Sequence, residues 1–171
     1  NLCRLLTEAH AGERLNPRLD LERLAELNEG LVCLSGCARH GLATRDPNGA
    51  AALARAFGRE RFYVELQRPY ERGDARRLAA LRELAETIGV RTVATGDAHA
   101  HHSRRAALQD VLVAIRCRTS LDGCEPERRG NHESVLLEPA QWQERFPHDH
   151  DAVARTVELA ERLEFDLTED L

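Results

Sequence analysis

Arg91-Thr92-Val93-Ala94-Thr95-Gly96-Asp97-Ala98-His99-Ala100-His101-His102 joins an apolar, β-branched run to a cluster of polar side chains able to bind metals. Residues Val90 to Ala94 have the character of a buried strand, and Gly96 lets the backbone turn at its end. Asp97 and His99 then follow two residues apart. Alternate residues of extended backbone share a face, so the Asp97 carboxylate and the His99 imidazole are expected to converge on one point. One oxygen and one nitrogen donor at a strand end suit a divalent ion. The blander alternative is that Asp97 merely caps the next helix, and the His101-His102 pair that follows weighs against it. Those two histidines read as exposed loop residues or outer neighbours of the ligands.

Upstream, the same pattern repeats. Leu31 to Cys37 (LVCLSGC) reads as a short, fully buried strand stopped by Ser-Gly, and Arg61 to Gln67 (RFYVELQ) as a second strand. Between them Asp46-Pro47 opens a helix that runs to Phe57-Gly58, with Asp as N-cap and Pro at the first position. A long helix with Leu78, Leu81, Leu84, Ala85 and Ile88 on its inner face separates the second strand from the third. The strands begin about thirty residues apart, which matches a repeated βα unit with parallel pairing and right-handed crossovers. This predicts an α/β fold in which Cys37 and Asp97 end their strands on the same, C-terminal rim, where parallel sheets build their sites. Cys33, four residues earlier, is expected in the core. Glu65 inside the second strand needs a partner, and pairing with an arginine is the structural reading.

The flanks are helical. Asn1 to Ala9 puts Leu2, Leu5, Leu6 and Ala9 on one face, and Leu19 to Leu27 forms a second amphipathic helix closed near Gly30. After the third strand Ser103 is expected to cap a helix carrying Leu108, Val111, Leu112 and Ile115. Cys117 to Asn131 reads as a polar surface loop, Ser134 to Leu137 as a short strand, and Pro139 to Phe146 as a short helix with the single tryptophan, Trp142. His150 to Leu163 closes the pattern with Val153, Val157, Ala160 and Leu163 on one face.

Composition sets the bounds. The 171 residues, 42% of them hydrophobic, suffice for one domain with a sizeable core. All 24 basic residues are arginine, and the net charge of -5 argues against holding nucleic acid by bulk electrostatics alone. No run approaches the roughly 20 apolar residues of a membrane span, so no membrane partner is expected. The cysteines, Cys3, Cys33, Cys37, Cys117 and Cys124, are odd in number and irregularly spaced, which fits a reducing cytoplasm and argues against a four-cysteine zinc site. The chain holds no methionine and starts inside a helical pattern, so it is expected to be an internal fragment.

Four stretches together carry a specific resemblance: NLCRLLTEAH (1–10), GLVCLSGCARHG (30–41), RFYVELQRPYERGDARR (61–77) and VATGDAHAHHSRRAALQDVLVAIR (93–116). They resemble the polymerase-and-histidinol-phosphatase (PHP) domain of bacterial C-family DNA polymerases, and most of all the error-prone branch. The resemblance implies part of a distorted (β/α)7 TIM-like barrel over residues 1–138. Residues 139–171, ending in VELAERLEFDLTEDL, resemble a helical passage toward the polymerase body. It also implies metal ligation by Cys37, Asp97 and His99, with zinc, manganese or iron as the ion. The family's earlier ligands are expected upstream, and the palm aspartates that use magnesium for nucleotidyl transfer downstream.

What the resemblance implies for function is damage-tolerant, DNA-directed DNA synthesis by a parent protein, with DNA, dNTPs and the remaining polymerase domains as partners. The PHP part would add a phosphoesterase or 3′-5′ exonuclease role, and residues 1–171 alone are expected to be inactive. Two alternatives stand beside it: a free-standing PHP phosphoesterase acting on a small phosphate ester, and a metal-free PHP scaffold that braces the polymerase.

Overall fold

Strand β2, Phe62–Gln67, lies between β1, Cys33–Leu34, and β3, Arg91–Thr95, in a three-stranded parallel sheet. The β1–β2 ladder pairs Cys33 with Phe62 and Leu34 with Tyr63. These elements come from a computed structural model that describes residues 1–13, 15–166 and 168–169. Being central, β2 is apolar on both faces: Phe62, Tyr63, Val64 and Leu66 are all buried. Each such side chain taken from water contributes roughly 1.5–3 kcal/mol. A closed (β/α)7 barrel is not found among the described residues.

The chain divides into two compact units, one made of Asn1–Leu66 and Ala79–Val93, the other of Gln67–Leu78 and the residues from Ala94 onward. The first unit holds helices α1 (Leu2–Ala9), α2 (Leu21–Glu26), α3 (Leu42–Arg45) and α4 (Pro47–Phe57), with α4 packed on α2 and α3, together with residues 79–88 of α5 (Asp74–Ile88). Helix α4 starts as its sequence dictates, with Asp46 Oδ1 accepting the Gly49 amide at 3.0 Å and Pro47 in the first turn. Asn28 is a buried node: its Nδ2 donates to Ala25 O and Ala56 O, both at 2.8 Å, and its carbonyl accepts from Arg61 Nη1 at 2.8 Å. Arg23 links α2 to α1 through Glu8 at 2.6 Å. That contact holds the Glu8 carboxyl below its ordinary range.

Several expectations need correction here. The first strand is two residues long, not the seven from Leu31 to Cys37, and it is not fully buried: Leu34 is 38% exposed and Cys33 half-buried. The reason is its place at the sheet edge, with one neighbour and one open side. Gly36, at φ 93°, then turns the chain out of the ladder, and Gly41 comes back against it. In α1 only Leu5 is buried, while Leu2 and Leu6 face solvent. Helix α3 was not legible, because four residues carry no periodicity.

In the second unit a 3-10 turn (Ser103–Arg105) leads into α6 (Ala106–Cys117), followed by a second 3-10 segment (Asp122–Glu127), α7 (Pro139–Arg145) and α8 (His150–Glu161). His102, not Ser103, caps the first turn, its Nδ1 accepting the Arg104 amide at 3.1 Å. The segment expected as a plain polar loop instead buries Cys124 against Val113 and Ala114 of α6. That contact rotates α6, so the stripe Leu108, Val111, Leu112 and Ile115 faces outward, each residue 42–66% exposed. Helix α8 is rotated as well. Ala152 is buried and Val157 and Leu163 are exposed, because Thr156 Oγ1 donates to Ala94 O at 2.8 Å and fixes which side faces inward. The helix α7 capping box joins Glu138 and Gln141, the Glu138 amide donating to Gln141 Oε1 at 2.8 Å. Leu167, Asp170 and Leu171, the end of the expected helical passage, lie outside the described residues.

A side chain at Gly41 would meet Gly36 O at 2.5 Å and also press on Cys37 O. Gly41→Ala is therefore expected to destabilise the chain by about 2 kcal/mol, whereas Gly12→Ala, in open space, leaves the urea midpoint unchanged. Burial also pushes the Cys33 thiol up to about 11. The folded state keeps its proton where the unfolded chain has lost it, so the Cys33 contribution is intact below the ordinary thiol range and lost as pH rises through about 11. Iodoacetamide labelling read by mass spectrometry at pH 8 should mark exposed Cys3 and Cys117 and spare Cys33.

Candidate functional site

Beyond β3 the backbone is held on all sides. Gln67 Nε2 donates to Thr95 Oγ1 at 2.8 Å, and Gly96 lies under the Trp142 ring, where a Cβ would stand 3.3 Å from the indole edge. Asp97 then takes a left-handed conformation, φ 47°, which Asp tolerates better than most residues. His99 and Ala100 both donate their amides to Ser134 O, at 2.8 and 3.3 Å, and Leu136 N donates back to Ala100 O at 3.3 Å. The expected strand at Ser134 to Leu137 is thereby reduced to a single parallel bridge, Ala100 with Val135.

This framework brings Asp97 and His99 together, but through a left-handed turn at Asp97 rather than the extended backbone expected. Asp97 Oδ1 lies 3.2 Å from His99 Nε2. Between them sits a residue that the sequence did not indicate, Arg129. Its Nη1 faces Asp97 Oδ2 at 2.6 Å, and its Nη2 contacts His99 Nε2. Asp97 Oδ2 is buried and finds no aligned hydrogen bond, so the Arg129 contact is an ion pair off the preferred line. Asp97 and His99 thus converge on one guanidinium.

The donor set fits a divalent metal in kind: a carboxylate oxygen and an imidazole nitrogen converge on one point. It does not fit in number. Among the described residues no group of three or more His, Cys, Asp or Glu side chains is gathered to hold a metal ion. Cys37 belongs to the first unit, half-buried just past β1, where its Sγ accepts the His40 amide at 3.4 Å. His101 and His102 are exposed, as expected, and Glu65 is only half-buried. Spacing could not reveal Arg129, thirty residues from His99. The only signal was an Arg-Arg-Gly run in a segment read as solvated loop.

The Ser134 segment is itself anchored by a buried arginine. Arg145, 3% exposed, donates to Glu133 O and Glu133 Oε2, both at 3.0 Å, and lies over the Tyr70 ring at 5.0 Å. Arg68 stacks on Tyr70 at 5.2 Å and donates to Arg145 O at 2.8 Å, while Asn131 Nδ2 donates to Pro69 O at 2.7 Å. A small cavity of about 180 Å³ lies beside this segment, lined by Asp110, Glu125, Arg128, Gly130, Asn131 and His132.

Comparison with known proteins finds relatives over most of the chain. It is 32% identical to a protein named error-prone DNA polymerase from Symbiobacterium thermophilum across 95% of its own length and 17% of that protein's. It is 35% identical to one of the same name from Mycolicibacterium paratuberculosis across 97% of the chain and 16% of the relative. A Rhodopseudomonas palustris protein of that name is 45% identical over 59% of the chain and 8% of the relative. The chain thus spans less than a fifth of these relatives and is related to a part of each. No family model matches it. Among the described residues no helix is long and apolar enough to cross a membrane.

Truncating Arg145 removes three buried contacts but leaves Glu133 half-exposed to water. Arg145→Ala is therefore expected to cost about 2 kcal/mol in urea denaturation, below the 3–5 typical of a stranded buried charge. The His99 amide should lose protection from hydrogen exchange in the same variant.

Proposed function

We propose that the chain is a segment of an error-prone DNA polymerase, in which residues 1–138 form the later part of a PHP domain and residues 139–171 the passage toward the polymerase body. The similarity to polymerases of that name over nearly the whole chain supports this reading. The observation that carries the site is the convergence of Asp97 and His99 at the end of β3. In this reading DNA and dNTPs are the substrates of the longer protein, its synthesis is damage-tolerant, and it works in the cytoplasm. Magnesium serves the palm, which lies in another part of such a polymerase.

Asp97, His99 and Cys37 are proposed as ligands contributed to a PHP metal centre, completed by residues from elsewhere in the longer chain. Zinc, manganese or iron suits such a mixed oxygen, nitrogen and sulfur set. A bound ion would supply Lewis acidity toward a phosphate ester, consistent with a phosphoesterase or 3′-5′ exonuclease role. The chain's own task is to hold the donors: the turn at Asp97 is left-handed, and the His99 amide donates to Ser134 O, which fixes the backbone that carries the imidazole.

A second reading, a metal-free PHP scaffold, is favoured by one observation: Arg129 already neutralises Asp97. In the polymerase-length protein, Asp97→Ala or His99→Ala is expected to lower bound metal, measured by elemental analysis, with less effect on nucleotide addition. Loss of synthesis with metal content and folding intact would sink the assignment of these residues.

A further inference from the structure

We propose that a cleft in the first unit is a docking site for an acidic, aliphatic peptide segment of a partner protein. The cleft lies where α4 and α5 end, ahead of β2 and β3, and encloses about 440 Å³. Ligand clefts of roughly 300–1,000 Å³ are typical, mostly apolar with a few placed polar groups. Here Ala51, Ala54 and Ile88 supply the apolar part, Arg55 and Arg59 two positive charges, and Thr87 a hydroxyl. Ala54 is buried, Ala51 and Ile88 are half-buried, and the two arginines and Thr87 are exposed. All six belong to the first unit, and no carboxylate lines the cleft.

Charge complementarity sets the ligand's chemistry. Among the described residues neither Arg55 nor Arg59 has a hydrogen bond or ion pair, whereas Arg23, Arg61 and Arg91 of the same unit each hold a partner. Glu60, next in sequence to Arg59, is taken by Arg91. Arg59 is nonetheless placed: a Cβ at Gly89 would stand 3.2 Å from its Cζ, so the guanidinium lies against bare backbone just past α5. Helix C-termini by themselves disfavour an anion, and these two guanidiniums offset that. An arginine fork then receives a carboxylate through two parallel bonds. The apolar part calls for an aliphatic group between the charges, which a peptide provides in one segment. Nucleic acid fits less well. The cleft has no aromatic ring on which a base could stack, and two charges on a chain of net charge -5 make no extended basic groove.

The test uses the full-length protein that carries this chain and a fluorescein-labelled hexapeptide of alternating glutamate and leucine. Anisotropy should report saturable binding that weakens as salt rises. Hydrogen exchange read by mass spectrometry should slow over residues 51–59 and 87–89 in the complex. Arg55→Gln combined with Arg59→Gln is expected to weaken binding at least about tenfold, since two charge-assisted contacts are gone. Both side chains are exposed, so the melting temperature should hold. Arg55→Glu alone should also abolish binding, by repulsion, which keeps the test decisive if the double variant folds poorly. Replacing the leucines of the peptide with serine should weaken binding at unchanged charge. Three results overturn the proposal: no saturable binding, or no slowing over those residues; equal binding by the folded arginine variants; or displacement of the peptide by oligothymidylate at equal concentration, which makes the cleft a phosphate site. In the first two cases Arg55 and Arg59 serve only the helix ends.

Discussion

The carbonyl of Ser134 accepts two amides, from His99 and Ala100, and the geometry at the end of β3 depends on that convergence. Backbone leaving a strand must find new partners for its donors, and burial makes the requirement strict. Here the partner is supplied by a segment far along the chain, and that segment is held in turn by Arg145 acting on Glu133. The order of dependence runs from a buried guanidinium, through one peptide, to the backbone that carries His99.

Two arginines thus serve the same unit in different settings. Arg145 is enclosed, with its donors directed at a neighbouring carbonyl and carboxylate and its face against Tyr70. Arg129 is also shielded, and it meets the Asp97 carboxylate and the His99 ring together. The planar fork of arginine explains why it serves in both places, since it bridges two groups at once. A chain devoid of lysine has this fork at every basic position.

Sequence periodicity made part of this legible. The βα alternation, the α4 start at Asp46-Pro47 and the apolar β2 follow from local rules of spacing and capping, whereas Asp97 and His99 meet through a left-handed turn that spacing does not record. What failed were matters decided by distant contacts. The length of β1 depends on its being an edge, which no single strand's composition records. The rotation of α6 depends on Cys124, and that of α8 on one hydroxyl, Thr156, reaching Ala94. Amphipathic stripes say that a helix has two faces; they do not say which contact claims the inner one. Arg129 belongs to the same class, because a charged residue in a polar loop reads as solvated until its partner is placed beside it.

The outward stripe of α6 bears on how the chain behaves in a test tube. Leu108, Val111, Leu112 and Ile115 form a contiguous apolar ridge in contact with water. Attraction between such ridges is entropic near room temperature, so it weakens on cooling and strengthens in sulfate or phosphate buffers. Solutions of the 171-residue chain are accordingly better kept cold and dilute, in salts that do not drive apolar surfaces together.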